Sequence, residues 1–422
     1  MSLDSVTTEA LARTPTNRPV WVALSGGLDS CLLLTLAAQA AHRHPRPLRA
    51  VHVNHGLQAA ANDFENHCRA LCSRLGVPLF VECVRVEPTG KGIEAAAREA
   101  RYAAFAKRVA AGETLWLAQH GDDQAETLLL AALRGSGVRG LAGMPFERDW
   151  QGRRLTRPLL GHTRAELERE AGGLALRWVE DPSNQDTDLD RNFLRGRAMP
   201  LLASRWPDAG RLLARSAELA GEADGLLDEL AALDLAAVGG KPGCIPIAAL
   251  LALSAPRQRL LVRYACQCLA LPTPPSARLA TLLSQLGGRD DTRVHVGWPG
   301  GEARRWRGAL YLQAPPAEPP VDWRAEWDGR PGLMTPLGRI ACCLHGEREA
   351  HAKLLLTLRR GGESLRVAGR GRRDVKRLLQ EANVPPWQRS RQLLAWRDDT
   401  LIAVLNVAIA EGWSQVGPAF DA

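Results

Sequence analysis

The sequence is poor in aromatic side chains, which make up 5% of its 422 residues, and it has only four methionines. Its nine cysteines include no Cys-x-x-Cys pair; the nearest spacings are Cys68/Cys72, Cys266/Cys268 and the adjacent Cys342/Cys343. That excludes a zinc ribbon, a dithiol redox motif and a disulfide framework, and free thiols in a reducing compartment are expected. No apolar run approaches the ~20 residues that cross a bilayer, which sets aside a transmembrane protein. The N-terminal stretch lacks the apolar segment of a signal peptide, so the cytoplasm is the expected location. The Walker pattern Gly-x-x-x-x-Gly-Lys-Ser/Thr is absent, and no internal repeat is visible.

Hydrophobic residues at 45% and charged residues at 24% are the proportions of a globular protein with an ample core. The length suits two or three domains. Net charge is +8, unevenly placed: residues 353–397 hold 12 Lys or Arg against 3 Asp or Glu. Such a basic tail suits a polyanionic partner.

In the first half, strand-like runs (20–24, 50–54, 77–84, 115–118) alternate with helical patterns (30–41, 64–75, 93–111, 123–133), which points to a parallel sheet covered on both faces. Thr163-Arg164-Ala165-Glu166 is a capping-box pattern. A long helix is expected over 211–233. Four prolines within 314–320 read as a linker. The expected domains are 1–205, 206–314 (mostly helical), a linker region 315–345, and a basic domain 346–422.

The strongest local signal is Ser25-Gly26-Gly27-Leu28-Asp29-Ser30, directly after the first strand and opening a helix. Glycines let backbone approach a ligand, and the N–H groups of a helix start attract phosphate. Asp29 would repel that phosphate unless a divalent cation lies between, so Mg²⁺ on Asp29 is expected. The serines could donate to phosphate oxygens. Asn54 and His55 close the second strand, where a turn could meet adenosine. Arg98, Arg101 and Tyr102 share a helix face, with Glu94 placed to pair with Arg98; two guanidiniums near a triphosphate would stabilise a leaving pyrophosphate. Asp122, Asp123 and Glu126 cluster after the fourth strand, where three carboxylates are costly without a balancing cation. They suit Mg²⁺, a cationic substrate, or a base that deprotonates an amine. Residues 133–144 carry four glycines and two arginines and read as a flexible basic lid. Arg191 and Arg195 lie i,i+4 on one helix face.

In order along the chain stand SGGLDS, VNHGL, EAAAREARY, HGDDQAET, LRGSGVRGLAGM, RPLL and DPSNQDTDLDRNFLR. Together they resemble the tRNA(Ile)-lysidine synthase family of the PP-loop ATP pyrophosphatase superfamily, densely over 18–200. The tail, with LRRGGE, KRLLQE and VPPW, is similar to that family's C-terminal domain. Gln119 and Gln58 depart from it, standing where His and Arg are common. The resemblance implies an α/β fold with a five-stranded, doubly wound parallel sheet, a helical middle domain and a small α+β C-terminal domain. It implies ATP-dependent ligation of free lysine to C2 of the wobble cytidine of tRNA(Ile) with a CAU anticodon, through an adenylated intermediate. ATP would be held by Ser25, Gly26, Gly27, Leu28, Asp29, Ser30, Asn54 and His55, and lysine by Asp122, Asp123 and Glu126. Asp29, Arg98, Arg101, Asp123 and Glu126 would be catalytic. Arg134, Arg191, Arg195, Arg370, Arg372, Arg373, Lys376 and Arg377 would contact tRNA, and the chain could pair as a homodimer. The rivals are a PP-loop thiolase, which the missing Cys-x-x-Cys disfavours, a small-metabolite synthetase, which leaves the basic tail unexplained, and a non-catalytic nucleotide-sensing RNA-binding protein.

Overall fold

The structure is a computed structural model and describes residues 2–54, 61–85, 93–180, 189–288, 294–320, 322–347 and 353–420. The chain divides into two compact units, Met1–Glu229 and Leu230–Ala422.

Helix α1 (Leu3–Ala12) opens the first unit, capped by Ser2, whose Oγ accepts the Ser5 N–H. The sheet is built from β1 (Val20–Ala23), β2 (Leu48–Asn54), β3 (Leu79–Cys83), β4 (Thr114–Trp116), β5 (Glu147–Trp150) and β6 (Arg153–Thr156). Its order is β3-β2-β1-β4-β6-β5. Five strands run parallel, and β5 is an added antiparallel edge that pairs with β6. Between strands run α2 (Leu28–Arg43), α3 (Ala61–Leu75), α4 (Ile93–Arg108), α5 (Gly121–Leu133) and the short α6 (Val138–Leu141), and α7 (Arg164–Gly173) follows β6. Alternation along β1 explains the two covered faces. Val20 and Val22 join the core with Leu32, Leu33 and Leu36 of α2, while Trp21 turns to Phe105, Leu115 and Leu155. The chain leaves β1 toward β2 and β3 on one side and toward β4 and β6 on the other. The carboxyl ends of β1 and β4 therefore flank the point where strand order reverses, the usual ligand crevice of such sheets.

After α7 comes a continuous helical run, α8 (Asp190–Phe193), a π-turn (Leu194–Ala198) and α9 (Met199–Arg205). The Met199 N–H reaches back to the Leu194 carbonyl, and the next residue, Pro200, has no N–H to continue the α pattern. Helix α10 (Ala209–Ala237) is 29 residues long.

The second unit has three hydrophobic clusters. Helices α11 (Ile247–Ala252), α12 (Ala255–Cys268) and α13 (Ser276–Leu286) pack on an antiparallel sheet of Cys244–Pro246, Ala309–Gln313, Gly301–Trp306 and His295–Trp298. The expectation of a mostly helical 206–314 missed this sheet. Its strands are only three to six residues long, and the longest, GEARRW, holds three charged residues, so little apolar alternation can be read from them. Residues 314–320 have no regular structure. Within the expected linker region, Arg324–Trp327 is instead an edge strand paired with Leu354–Leu358 in a five-stranded antiparallel sheet. A hairpin (Ser364–Val367 with Gly371–Asp374) leads into α14 (Val375–Glu381). No helix among the described residues is long and apolar enough to cross a membrane.

Candidate active site

The loop after β1 turns sharply at Gly26, which has φ +95°. A Cβ there would lie a tight 3.1 Å from the Phe64 ring, so the conformation favours glycine and the space adds to that. The Ser30 hydroxyl ties the corner together. It accepts from the Ser25 and Gly26 N–H groups at 3.1 and 3.3 Å and donates to the Gly27 carbonyl at 3.0 Å. The Ser25 and Ser30 hydroxyls also lie within hydrogen-bond distance of each other, at 3.0 Å. The N–H groups of Leu28, Asp29 and Ser30 begin α2 and have no intrahelical acceptor. They open on a cleft of about 1300 Å³.

Apolar side chains of Val51, Val53, Phe64, Phe105 and Leu117 line one part of this cleft, and Asn54, Arg98, Arg101 and Tyr102 reach it as well. Asn54 donates to Glu65 at 3.2 Å. The Arg98 guanidinium lies 5.0 Å from the Tyr102 ring centroid. His55, the Glu94 side chain and residues 181–188 lie outside the described residues.

Asp29 is bound by Arg164, whose Nη1 donates to both carboxylate oxygens at 2.7 and 2.8 Å. Burial raises the Asp29 carboxyl above its ordinary value, and His120 and Arg164 oppose that rise. Arg164 also donates its peptide N–H to Asp122 at 2.7 Å. Buried His120 sits among Asp29, Asp122 and Asp123 at 3.6–3.9 Å. Burial alone would push His120 down, but these acids hold it above its ordinary value. Burial would raise Asp122, but His120 and the Arg164 N–H hold it below the usual range.

Asp123 and Glu126 face another cation. Arg195 donates Nε to Glu126 at 2.8 Å and Nη2 to Glu126 and Asp123 at 3.1 and 3.0 Å. Glu126 is 1% exposed, and burial raises its carboxyl despite Arg195. The expected carboxylate cluster is therefore split. Asp122 belongs to the Asp29 side, and the cation balancing the other two is a guanidinium of the chain itself. Arg195, expected on tRNA, is committed here, and Arg191 donates to Thr127 at 3.1 Å.

The expected lid is held at both ends. Arg139 pairs with Asp224 and Asp228 of α10 at 2.9 and 2.5 Å. Gln124 accepts the Met144 N–H at 2.8 Å and donates to the Ala142 and Met144 carbonyls. Arg134 reaches Asp190 at 3.4 Å. On the basic tail, Arg370, Arg372, Lys376 and Arg377 are exposed on the hairpin and α14, and Arg373 is half-buried. Glu381 accepts from Arg370 and Arg377 at 2.7 and 3.2 Å.

The sequence matches three domain families: a PP-loop domain over 3–202, a TilS substrate binding domain over 245–311 and a TilS substrate C-terminal domain over 354–419. It is 47% identical over 405 residues to the tRNA(Ile)-lysidine synthase of Pseudomonas aeruginosa, covering 92% of this chain and 89% of that protein. The chain belongs to the tRNA(Ile)-lysidine synthase family. The corresponding protein of Xanthomonas axonopodis pv. citri is 42% identical over 420 residues, 98% of this chain and 95% of the relative. Among solved structures, the U34-tRNA thiolase of Methanococcus maripaludis aligns with 51% of this chain and 77% of its own, at 18% identity and a TM-score of 0.42.

Sequence reasoning did not single out Arg164 and His120, which line the cleft, or Arg157, which bonds cleft-lining Gln119. Arg164 was visible only as part of a capping box. Arg157 is buried and donates to Gln119 at 2.5 Å and to the Pro145 carbonyl at 2.7 Å. That gives Gln119, the departure from the family's usual His, a partner.

Proposed function

We propose that the cleft joins free lysine to C2 of the wobble cytidine of tRNA(Ile) with a CAU anticodon, at the expense of ATP, which leaves as AMP and pyrophosphate. The observation that carries this is the meeting, at the ends of β1 and β4, of a phosphate-binding corner with buried Glu126 and its half-buried neighbour Asp123. A pyrimidine carbonyl oxygen is a poor leaving group, and transfer of AMP to it makes a good one. The first-turn N–H groups of Leu28 and Asp29 hold the departing pyrophosphate, and Arg98 and Arg101 bring positive charge to the same cleft. The apolar wall suits adenine, with Asn54 at the adenosine.

Among the described residues no three His, Cys, Asp or Glu side chains form a metal cage. Mg²⁺ is ordinarily held by one or two carboxylates together with substrate phosphates, so Asp29 beside the corner fits it. When bound, Mg²⁺ neutralises phosphate charge.

Lysine arrives as an ammonium, with a free pKa of ~10.4, and must lose a proton before it attacks. Asp123, Glu126 and Arg195 together carry one net negative charge, which matches one ammonium. The burial that raises Glu126 makes it the better proton acceptor. Arg134 and Arg191 border this site and, with the basic tail, hold the tRNA backbone, which positions without specifying. The reaction belongs in the cytoplasm, with tRNA and translation. A second copy of the chain is a further partner: Leu212, Leu219 and Leu226 are exposed at seven-residue spacing on α10.

Mass spectrometry of tRNA(Ile) incubated with ATP and lysine tests this. A gain equal to lysine minus water, dependent on both substrates, is expected. An unmodified tRNA, or ATP consumption without AMP, overturns it.

A further inference from the structure

Arg164 stands where the nucleotide's charge must arrive. Its main chain is fixed: Thr163 and Glu166 exchange capping bonds at 3.3 and 2.8 Å, and the Arg164 N–H is held by Asp122. Its side chain is not locked in the same way. Nε rests on Glu168, one turn along α7, at 2.8 Å, while Nη1 alone bridges both oxygens of Asp29. The side chain is 39% exposed and lines the same cleft as Ser25 and Gly27. A guanidinium that covers both Asp29 oxygens denies that face to any other cation. A triphosphate entering the corner brings several anionic oxygens, better acceptors for a guanidinium fork than one carboxylate.

We propose that Arg164 is a positioning residue that exchanges partners during catalysis, pairing with Asp29 in the nucleotide-free site and transferring to the β- and γ-phosphates when ATP binds. The Glu168 contact serves as the pivot, so that Nη1 moves while the stem stays on α7. The exchange hides the Asp29 charge when no nucleotide is present and exposes that carboxylate only when phosphate arrives. This rests on the nucleotide reading of the cleft given above.

The test is calorimetric titration of the full-length protein with α,β-methylene ATP, which is not cleaved between its α- and β-phosphates, and with AMP. Arg164→Ala should weaken the analogue ~10- to 100-fold and leave AMP within ~2-fold, since charged hydrogen bonds to the outer phosphates are lost and adenosine contacts are kept. Arg164→Lys should recover part of the loss. In EDTA, Asp29→Asn should bind the analogue more tightly than the wild type, because Arg164 is released to phosphate. That gain should vanish in the Asp29→Asn/Arg164→Ala double variant. A gain that survives in the double variant is mere removal of negative charge and overturns the proposal, as does an Arg164→Ala protein that keeps the analogue-over-AMP preference or loses both ligands alike. A wild type with no preference for the analogue over AMP refutes the nucleotide reading itself, and the exchange with it.

Discussion

Glu126→Gln separates the two half-reactions. The substitution keeps side-chain shape and a carbonyl acceptor for Arg195, whose Nε lies 2.8 Å from Glu126, but removes one negative charge from a position 1% exposed. The net charge of the Asp123–Glu126–Arg195 group then rises from −1 to 0. A unit charge ~4 Å from an ammonium at an effective dielectric of ~20 contributes about 4 kcal/mol. Arg195 already draws on that charge, so we take about half, roughly 2 kcal/mol, as the loss felt by lysine. That is roughly a 30-fold rise in apparent KM for lysine. The assay is ligation of labelled lysine over a concentration series, beside tRNA-dependent ATP–pyrophosphate exchange in the same preparation. Exchange should stay within ~3-fold of wild type, because the phosphate corner is unchanged. Equal losses in exchange and ligation would move Glu126 to the adenylation step. An unchanged KM for lysine would refute the charge-matching argument.

Neutralising Arg372, Arg373 and Arg377 together should weaken tRNA binding and lower the slope of log K against log salt by about 2 to 3, the value for three phosphate contacts; filter binding between 50 and 300 mM salt would show an unchanged slope if the tail is not the grip. Glu302 is buried and accepts from Arg304 and Gln313 at 2.8–2.9 Å, with His295 Nε2 also at 2.9 Å. Burial raises its carboxyl, but Arg304, Gln313 and His295 outweigh that and hold it below 4.5. A lowered folded pKa gives stability that is complete above the unfolded value and is lost as pH falls through the folded one. Glu302→Gln should therefore cost about 2 kcal/mol at pH 7, with the gap to wild type in chemical denaturation closing only below about pH 4.5; a gap that closes between pH 7 and 5 contradicts the assignment. Leu219→Glu should shift sedimentation toward the monomer, and an unchanged distribution would remove α10 as the contact between copies.

What the sequence made legible were features written in consecutive residues. The buried strand, the glycine corner and the helix start at 20–30 follow from local sterics, since the φ of +95° at position 26 is one that glycine adopts without strain. The parallel sheet followed from alternating strand and helix patterns. The antiparallel edge strand β5 did not, because ERDW is four residues with three charges and its place depends on a hairpin to β6. The same holds for the small sheet of the second unit. At the site, the acids announced themselves as a costly cluster, which correctly demanded cations. Their source could not be read, since Arg164 lies 135 residues from Asp29 in sequence and Arg195 lies 69 from Glu126. Nor could exposure: the basic run 133–144 has the composition of a lid, and only tertiary partners on α10 and Gln124 show it pinned.

These long-range pairs make the site a joint product of two stretches that the linear motifs keep apart. Residues 20–126 supply the phosphate corner and the carboxylates of Asp29, Asp122 and Glu126. Residues 157–195 supply Arg164 and Arg195, the guanidiniums that pair with them. A buried acid with its partner removed costs several kcal/mol, so neither stretch can hold this geometry alone. The two groups carry the same formal charge but differ in depth. Arg164 is shared between Asp29 and Glu168, and the Asp29 side chain is 27% exposed, whereas Arg195 is shared between Asp123 and a Glu126 that is 1% exposed. The Arg164 group is thus the one an arriving phosphate can rearrange, and the Arg195 group the one that burial holds in place.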